Sequence, residues 1–368
     1  MPRGTMVATR RLIVTFAIVV AMLLTAACGS DEDEGDTGAN AGDAGTAVSG
    51  SSSELQVIAT TTIIADMARQ VAGDRAEVTS LLPVNADPHD FEPTPRDVEA
   101  VADADLVLEH GLGLDGWAEG LVDESGTGAP VVTVTDGIDL LEGGHAHAED
   151  DEHAHEHDAE GTPEDDHADE HHDDEEDSDH AEDEHGHDDH AEGMDPHVWF
   201  DVTRAKVMVD NIRDALIEVD PEGRETYEAN ASAYQAELDE LHTWIQEQIA
   251  TIPEENRKIV TTHENLNYYV EAYGLELVGT VIPSLDTQAQ PSAGETAALI
   301  DAIREQNVQA IFVEAALNPD LAEQIASEAG VEVVDNLYGD ALGPDGSGAE
   351  TYIGLMRTDT ELIVEALK

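Results

Sequence analysis

Histidine is the residue whose placement in this chain first points to chemistry. Of 17 histidines in 368 residues, 12 fall between positions 142 and 193, leaving His89, His110, His197, His242 and His263 elsewhere. Three of these five stand in segments that read as loops at element ends: Asp87-Pro88-His89-Asp90, Asp195-Pro196-His197-Val198 and Thr261-Thr262-His263-Glu264. Proline confines the residue before it to extended backbone, so two of the loops present their histidine from a fixed turn. Neutral imidazole is a ready ligand for zinc-like metals, and three such loops leave a metal site and three ordinary turns equally open. His242 lies on the polar side of a long helical pattern beside Asp239 and Glu240, and His110 follows a strand ahead of a glycine-rich loop. Both read as structural or solvated.

The elements that must carry these loops alternate in type. Apolar runs at Leu55–Ala59, Val78–Leu82, Leu106–Leu108 and Val131–Val134 interleave with helical patterns at Ile63–Val71 and Pro95–Ala102. After a break come helices over Thr203–Glu218 and Glu222–Ala250, the second with Tyr227, Ala231, Tyr234, Leu238, Leu241, Ile245 and Ile249 at spacings of three and four. The alternation then resumes: strands Ile259–Thr262, Glu276–Val281, Ala310–Val313 and Val331–Val334, and helices Leu266–Tyr273, Gly294–Glu305, Pro319–Ala329 and Glu350–Leu367. That rhythm predicts an α/β fold of two lobes with mainly parallel sheets, joined by one long helix. Internal sequence repeats are not evident.

Charge narrows the function. With 83 Asp+Glu against 15 Lys+Arg the formal charge is -68, which excludes nucleic acid or an anionic membrane as a partner held by a basic face. Residues 142–193 hold 25 of the acids and no Lys, Arg or aromatic residue, so removing them leaves -43. Such a segment buries too little apolar surface to offset chain entropy and reads as a disordered insert, and the acidic, Gly/Ser/Ala-rich stretch 28–53 as a tether. The single cysteine, Cys28, excludes an internal disulfide framework, cysteine-rich zinc modules and CxxC redox chemistry. Arg3, Arg10 and Arg11 precede the apolar run Leu12–Leu24, then Thr25-Ala26-Ala27 and Cys28, the layout of a cleaved export signal over 1–27. Cysteine directly after that pattern resembles the bacterial lipobox, although Thr25 stands where an aliphatic residue is usual. The resemblance implies a mature protein lipidated at Cys28 and working outside the cytoplasm. The expected organisation is a first lobe of 54–141 plus 194–221, the insert 142–193, a linking helix 222–250 and a second lobe 251–368.

Two motifs imitate other chemistries. Gly111-Leu112-Gly113-Leu114-Asp115-Gly116 satisfies GxGxxG after a strand, with Asp136 about 20 residues on, as in a dinucleotide fingerprint. The following helix, Trp117–Val122, is too short for the crossover, and an exported protein does not meet cytosolic NAD. His263-Glu264-Asn265-Leu266-Asn267 begins like HExxH, but Asn267 occupies the second histidine position.

Several segments together resemble the metal-binding lipoproteins of zinc/manganese ABC importers. They are His89–Asp97, Asp105–Trp117, Asp195–Asp201, Asp286–Ser292, Ile311–Glu314 and Leu337–Gly343, with Tyr227, Asn230, Tyr234 and Leu238 on the long helix and Tyr269 and Tyr273 after His263. The resemblance spans nearly all of 55–368 in order. It implies two Rossmann-like lobes with one metal in the cleft between them. It also implies the ligands His89 and His197 from the first lobe and His263 and Asp340 from the second, Asp340 being preferred to Asp335 and Asp345. Three imidazoles and one carboxylate suit tetrahedral zinc (Zn2+), with manganese (Mn2+) or iron the alternative. Glu92, Asp201 and Glu314 are candidates to hold the outer nitrogens of the ligating rings.

The function so implied is a monomeric, lipid-anchored zinc receptor that delivers its metal to an ABC permease driven by a cytoplasmic ATPase. No GxxxxGK[ST] occurs in the chain, so the energy must come from such partners. A secreted zinc hydrolase is the rival from another class, but four protein ligands leave no coordination position for an activated water. The insert reads either as a solvated acidic loop or, from its spacing of histidines among acids, as a collector of metal. Importers of this family often carry such a loop between their first two ligands.

Overall fold

The computed structural model describes residues 55–143 and 193–368. The signal, the tether, Cys28 and nearly all of the insert lie outside them. Strands β1 (Leu55–Ala59), β2 (Ala76–Ser80), β3 (Leu106–Glu109) and β4 (Val131–Thr133) form a parallel sheet in the order β2-β1-β3-β4. Strands β5 (Lys258–Thr261), β6 (Glu276–Thr280), β7 (Ala310–Glu314) and β8 (Glu332–Leu337) form a second in the order β6-β5-β7-β8. The two orders are the same, so the lobes share a topology that no sequence repeat reveals. In each sheet the chain reverses its direction of travel between the first strand and the third. Crevices beyond the carboxyl ends at such a switch are where open α/β sheets bind ligands.

Helices α1 (Thr62–Ala72), α2 (Pro95–Ala102) and α3 (Trp117–Ser125) belong to the first lobe, followed by α4 (Val202–Val219) and α5 (Arg224–Ile249). The second lobe adds α6 (Asn267–Tyr273), α7 (Ala293–Gln306), α8 (Asp320–Ala329) and α9 (Tyr352–Leu367). Their starts are written locally. Thr61 accepts the backbone N–H of Ile64 at the head of α1, and Thr94 with Asp97 and Ser292 with Glu295 form capping boxes on α2 and α7. The 26 residues of α5 extend roughly 39 Å at 1.5 Å per residue and bury the seven residues that the three-and-four spacing predicts. This helix packs on α1 and α4 from one lobe and on α9 from the other.

Burial accounts for the rest. One large apolar cluster runs from Val57 and Ile64 through Met208, Leu238 and Phe312 to Leu367 and unites both lobes, while smaller clusters seal the outer face of each sheet. Between the lobes, Tyr352 Oη donates to the Trp199 carbonyl at 2.6 Å, and Asp66 accepts the Tyr352 backbone N–H at 2.9 Å. Strand β8 departs from the sequence expectation. The apolar run stops at Val334, yet the strand continues to Leu337 because Asp335 and Asn336 lie exposed at the sheet edge. A register shift opposite Phe312 and Glu314, with Asn336 at φ 69°, re-aims the chain that follows. Among the described residues no helix is long and apolar enough to cross a membrane.

Candidate metal centre

All the groups of interest come off the carboxyl ends of strands. His89 follows β2, His197 follows β4 across the insert, His263 follows β5, and Asp340 follows the re-aimed end of β8. Their turns are built alike. In both Asp-Pro-His segments the aspartate accepts the histidine's backbone N–H at 2.9 Å, Asp87 for His89 and Asp195 for His197. On the second lobe, Thr261 Oγ1 donates to the His263 carbonyl at 2.7 Å and fixes the turn after β5.

These turns bring one atom from each of the four side chains within 4.8 Å of the others. His263 Nε2 lies 3.3 Å from His197 Nε2 and 3.4 Å from Asp340 Oδ2. Asp340 Oδ1 is 3.6 Å from His197 Nε2, and Oδ2 is 3.8 Å from His89 Nε2. A tetrahedral shell with bonds of about 2.0–2.1 Å has edges of about 3.3–3.4 Å. The four atoms therefore need only small movements to surround one ion. His89 Nε2 and Asp340 Oδ1 are buried without a hydrogen-bond partner, which buried polar atoms seldom are unless something else bonds them. Asp335 and Asp345 are exposed, and Glu264 turns its carboxylate to Asn267.

The outer nitrogens are held by buried acids. Glu314 Oε1 sits 2.6 Å from His263 Nδ1, and Asp195 Oδ1 sits 2.7 Å from His197 Nδ1. This fixes both rings with Nε2 facing inward. Of the three acids the sequence suggests, Glu314 takes this role, Asp201 instead caps α4 and pairs with Arg204, and Glu92 is exposed. Asp195 was missed; its signal was the Asp-x-His spacing, since an aspartate that caps the turn can also reach the ring. Gly339 is forced by this arrangement: a Cβ there would lie 2.0 Å from Glu314 Oε2.

The two remaining histidines take other places. His242 Nδ1 lies 3.2 Å from Tyr273 Oη, where α5 meets α6. His110 is buried, with Nε2 2.7 Å from the Pro196 carbonyl, so it braces the turn that carries His197. The glycine loop serves this brace, because Asp115 accepts the backbone N–H groups of His110 and Gly111 at 2.6 and 2.9 Å. Gly111 itself has φ 81° and would set a Cβ 2.5 Å from Thr133 Cγ2.

Electrostatics make the centre hungry for positive charge. Burial favours the neutral ring of His263, but Glu314 and Asp340 outweigh it and raise the pKa well above the ordinary 6.5. Burial lowers His89 despite the pull of Asp340. Burial also works to raise Asp340, yet His263, His197 and His89 hold it well below the usual carboxylate range. Without a metal, therefore, His263 keeps a proton at neutral pH that an incoming cation must displace. Binding releases this proton, so affinity should be fully expressed only above the raised pKa and should fall as pH drops through neutrality. With one proton released, the expected fall is about tenfold per pH unit below the raised pKa of His263. Chelator competition on protein lacking residues 142–193 measures it, and a flat profile would show that His263 is unprotonated in the metal-free centre.

Comparison with known proteins agrees in fold and extent. Residues 57–366 match the model of the family described as ZnuA, zinc-uptake complex component A, periplasmic. The chain is 33% identical over 353 residues to the manganese-binding lipoprotein MntA of Halalkalibacterium halodurans, covering 96% of this chain and 97% of that one. It is 27% identical over 323 residues to the iron ABC transporter substrate-binding lipoprotein MtsA of Streptococcus pyogenes, covering 86% and 90%. Among solved structures, the periplasmic zinc-binding protein TroA of Treponema pallidum superposes with a TM-score of 0.67 at 25% identity, covering 86% of this chain and 99% of that one.

Proposed function

The chain belongs to the ZnuA family, and on that premise we propose that it is an extracytoplasmic receptor that captures Zn2+ and passes it to an ABC permease with its own ATPase. The observation that carries this reading is the convergence of three imidazole nitrogens and one carboxylate within 4.8 Å of one another, with the His197, His263 and Asp340 atoms 3.3–3.6 Å apart, close to the edges of a tetrahedral shell. His89, His197, His263 and Asp340 are the proposed ligands. Residues 54–141 with 194–221 and residues 251–368 then act as two jaws, and Cys28 as the lipid anchor. The metal is cargo, so the centre has to hold it tightly yet yield it when the jaws part.

Three nitrogens to one carboxylate favour zinc over manganese, which prefers oxygen-rich shells. The manganese reading has its own support in the 33% identity to a manganese-binding lipoprotein. Removing residues 142–193 separates the cleft from the insert. The shortened protein should retain one zinc equivalent in the presence of excess manganese, while the full chain binds further, weaker equivalents on its 12 insert histidines. Chelation there would cost the side-chain and backbone entropy of each imidazole it fixes, which keeps those sites weak. Elemental analysis after dialysis against a chelator provides the check; loss of all metal from the shortened protein would remove the cleft assignment.

A further inference from the structure

His197 and His263 belong to different lobes, and one side chain bridges the groups behind them. Asn267, the first residue of α6, donates one amide hydrogen to Asp195 Oδ2 at 3.0 Å and the other to Glu264 Oε1 at 3.1 Å. Asp195 is the acid that orients the His197 ring, and Glu264 is the neighbour of His263. Both carboxylates are buried, Asp195 at 0% and Glu264 at 2% relative exposure. Two buried acids converging on one point repel each other unless a donor lies between them. The NH2 group of Asn267 is that donor.

We propose that Asn267 is a positioning residue that makes the hold of His197 on the metal conditional on closure of the two lobes; this rests on the four-ligand reading above. A circuit runs from the metal position through His197, Asp195 and Asn267 to Glu264, then along the chain to His263 and back to the metal. Asp195 and His197 stand on the first lobe, and Asn267, Glu264 and His263 on the second, so the circuit crosses between the lobes twice, at the metal position and at the Asp195–Asn267 bond, and parting the lobes breaks both. The next residue supports the same aspartate by a different route. Tyr268 Oη donates to the Asp195 carbonyl at 2.8 Å and accepts the Leu141 N–H at 3.0 Å. Tyr268 thus holds the backbone, while Asn267 sets the carboxylate that aims the ring. The Asn267 amide is spent on these two lateral partners rather than on capping its own helix.

The test measures zinc release into excess chelator, together with the visible spectrum of the Co2+-loaded protein and the melting temperature of the metal-free form. Asn267→Ala should release zinc about tenfold faster, within the roughly 10–100-fold range that losing an outer partner of a ligand costs. It should also shift the cobalt bands, and because it leaves two buried acids without their shared donor it should lower the metal-free melting temperature as well. Asn267→Ser, whose hydroxyl can donate to only one acid, should fall between, and it serves if the alanine variant folds poorly. Asn267→Asp, which sets a third acid between two, should be fastest. Unchanged zinc release, or a lowered metal-free melting point with unshifted cobalt bands, overturns the inference alone. Failure of the unaltered protein to retain zinc overturns the four-ligand reading and this inference with it.

Discussion

Replacing His197 should weaken zinc binding by more than about a hundredfold, while His242→Ala should leave it within about twofold. The contrast follows from where the two rings sit. His197 is wholly buried with Nε2 3.3 Å from His263 Nε2 and 3.6 Å from Asp340 Oδ1, so its loss deletes one corner of the shell, which costs more than losing an outer partner. His242 meets Tyr273 and Gln246 and reaches none of the other candidate ligands. The form of the His197 variant matters. Alanine would leave Asp195, a buried carboxylate, without the ring N–H it accepts, and a buried charged group that loses a donor costs upward of about 1–3 kcal/mol. His197→Asn, whose amide nitrogen sits on Cγ as the ring Nδ1 does, keeps a donor in reach of Asp195 while removing Nε2 and so separates ligand loss from unfolding. Calorimetric titration of His197→Asn and His242→Ala decides the matter: equal affinities would show that His197 is no ligand.

The parts of this centre differed in how far sequence alone could reach them. Helix α5 was readable residue by residue, because a helix that packs along one face repeats its apolar positions every three or four residues. The convergence of His89, His197 and His263 was readable only as three loops at element ends. What brings them together is sheet order, and parallel sheets are set by crossovers that leave no local mark. Asp340 came from the family resemblance. An acid two residues after an aromatic in a polar loop looks like Asp335 or Asp345, and only the register shift at the end of β8 buries Asp340 and exposes the others. The service of the glycine motif Gly111–Gly116 to His110 was not legible, because it depends on a contact with Pro196, 86 residues away. The doubled strand order escaped for the same kind of reason, since topology can persist where residues have diverged.

Metal choice should turn on position 263, and changing it alone should disappoint. His263→Glu exchanges an imidazole for an oxygen ligand and moves the set toward two nitrogens and two carboxylates, a harder shell that suits manganese better. Yet Glu314 lies 2.6 Å from His263 Nδ1, so the new carboxylate would face another buried acid across the contact that now holds a proton. Burial already pushes the Glu314 pKa up, even with His263 beside it. Like charges so close cannot both ionise, so the single variant should bind zinc at least about a hundredfold more weakly and gain little manganese affinity. Adding Glu314→Gln restores a donor behind the new ligand. The double variant should recover manganese binding while zinc stays weakened, narrowing the preference by about tenfold or more against the unaltered chain. Competition between the two metals under a common chelator at neutral pH measures this. If His263→Glu alone shifts the preference as far as the double variant, Glu314 does not govern the ligand in front of it. If the unaltered protein already binds manganese as tightly as zinc, the third imidazole is not what selects the metal, and the receptor takes the cargo named for its manganese-binding relative.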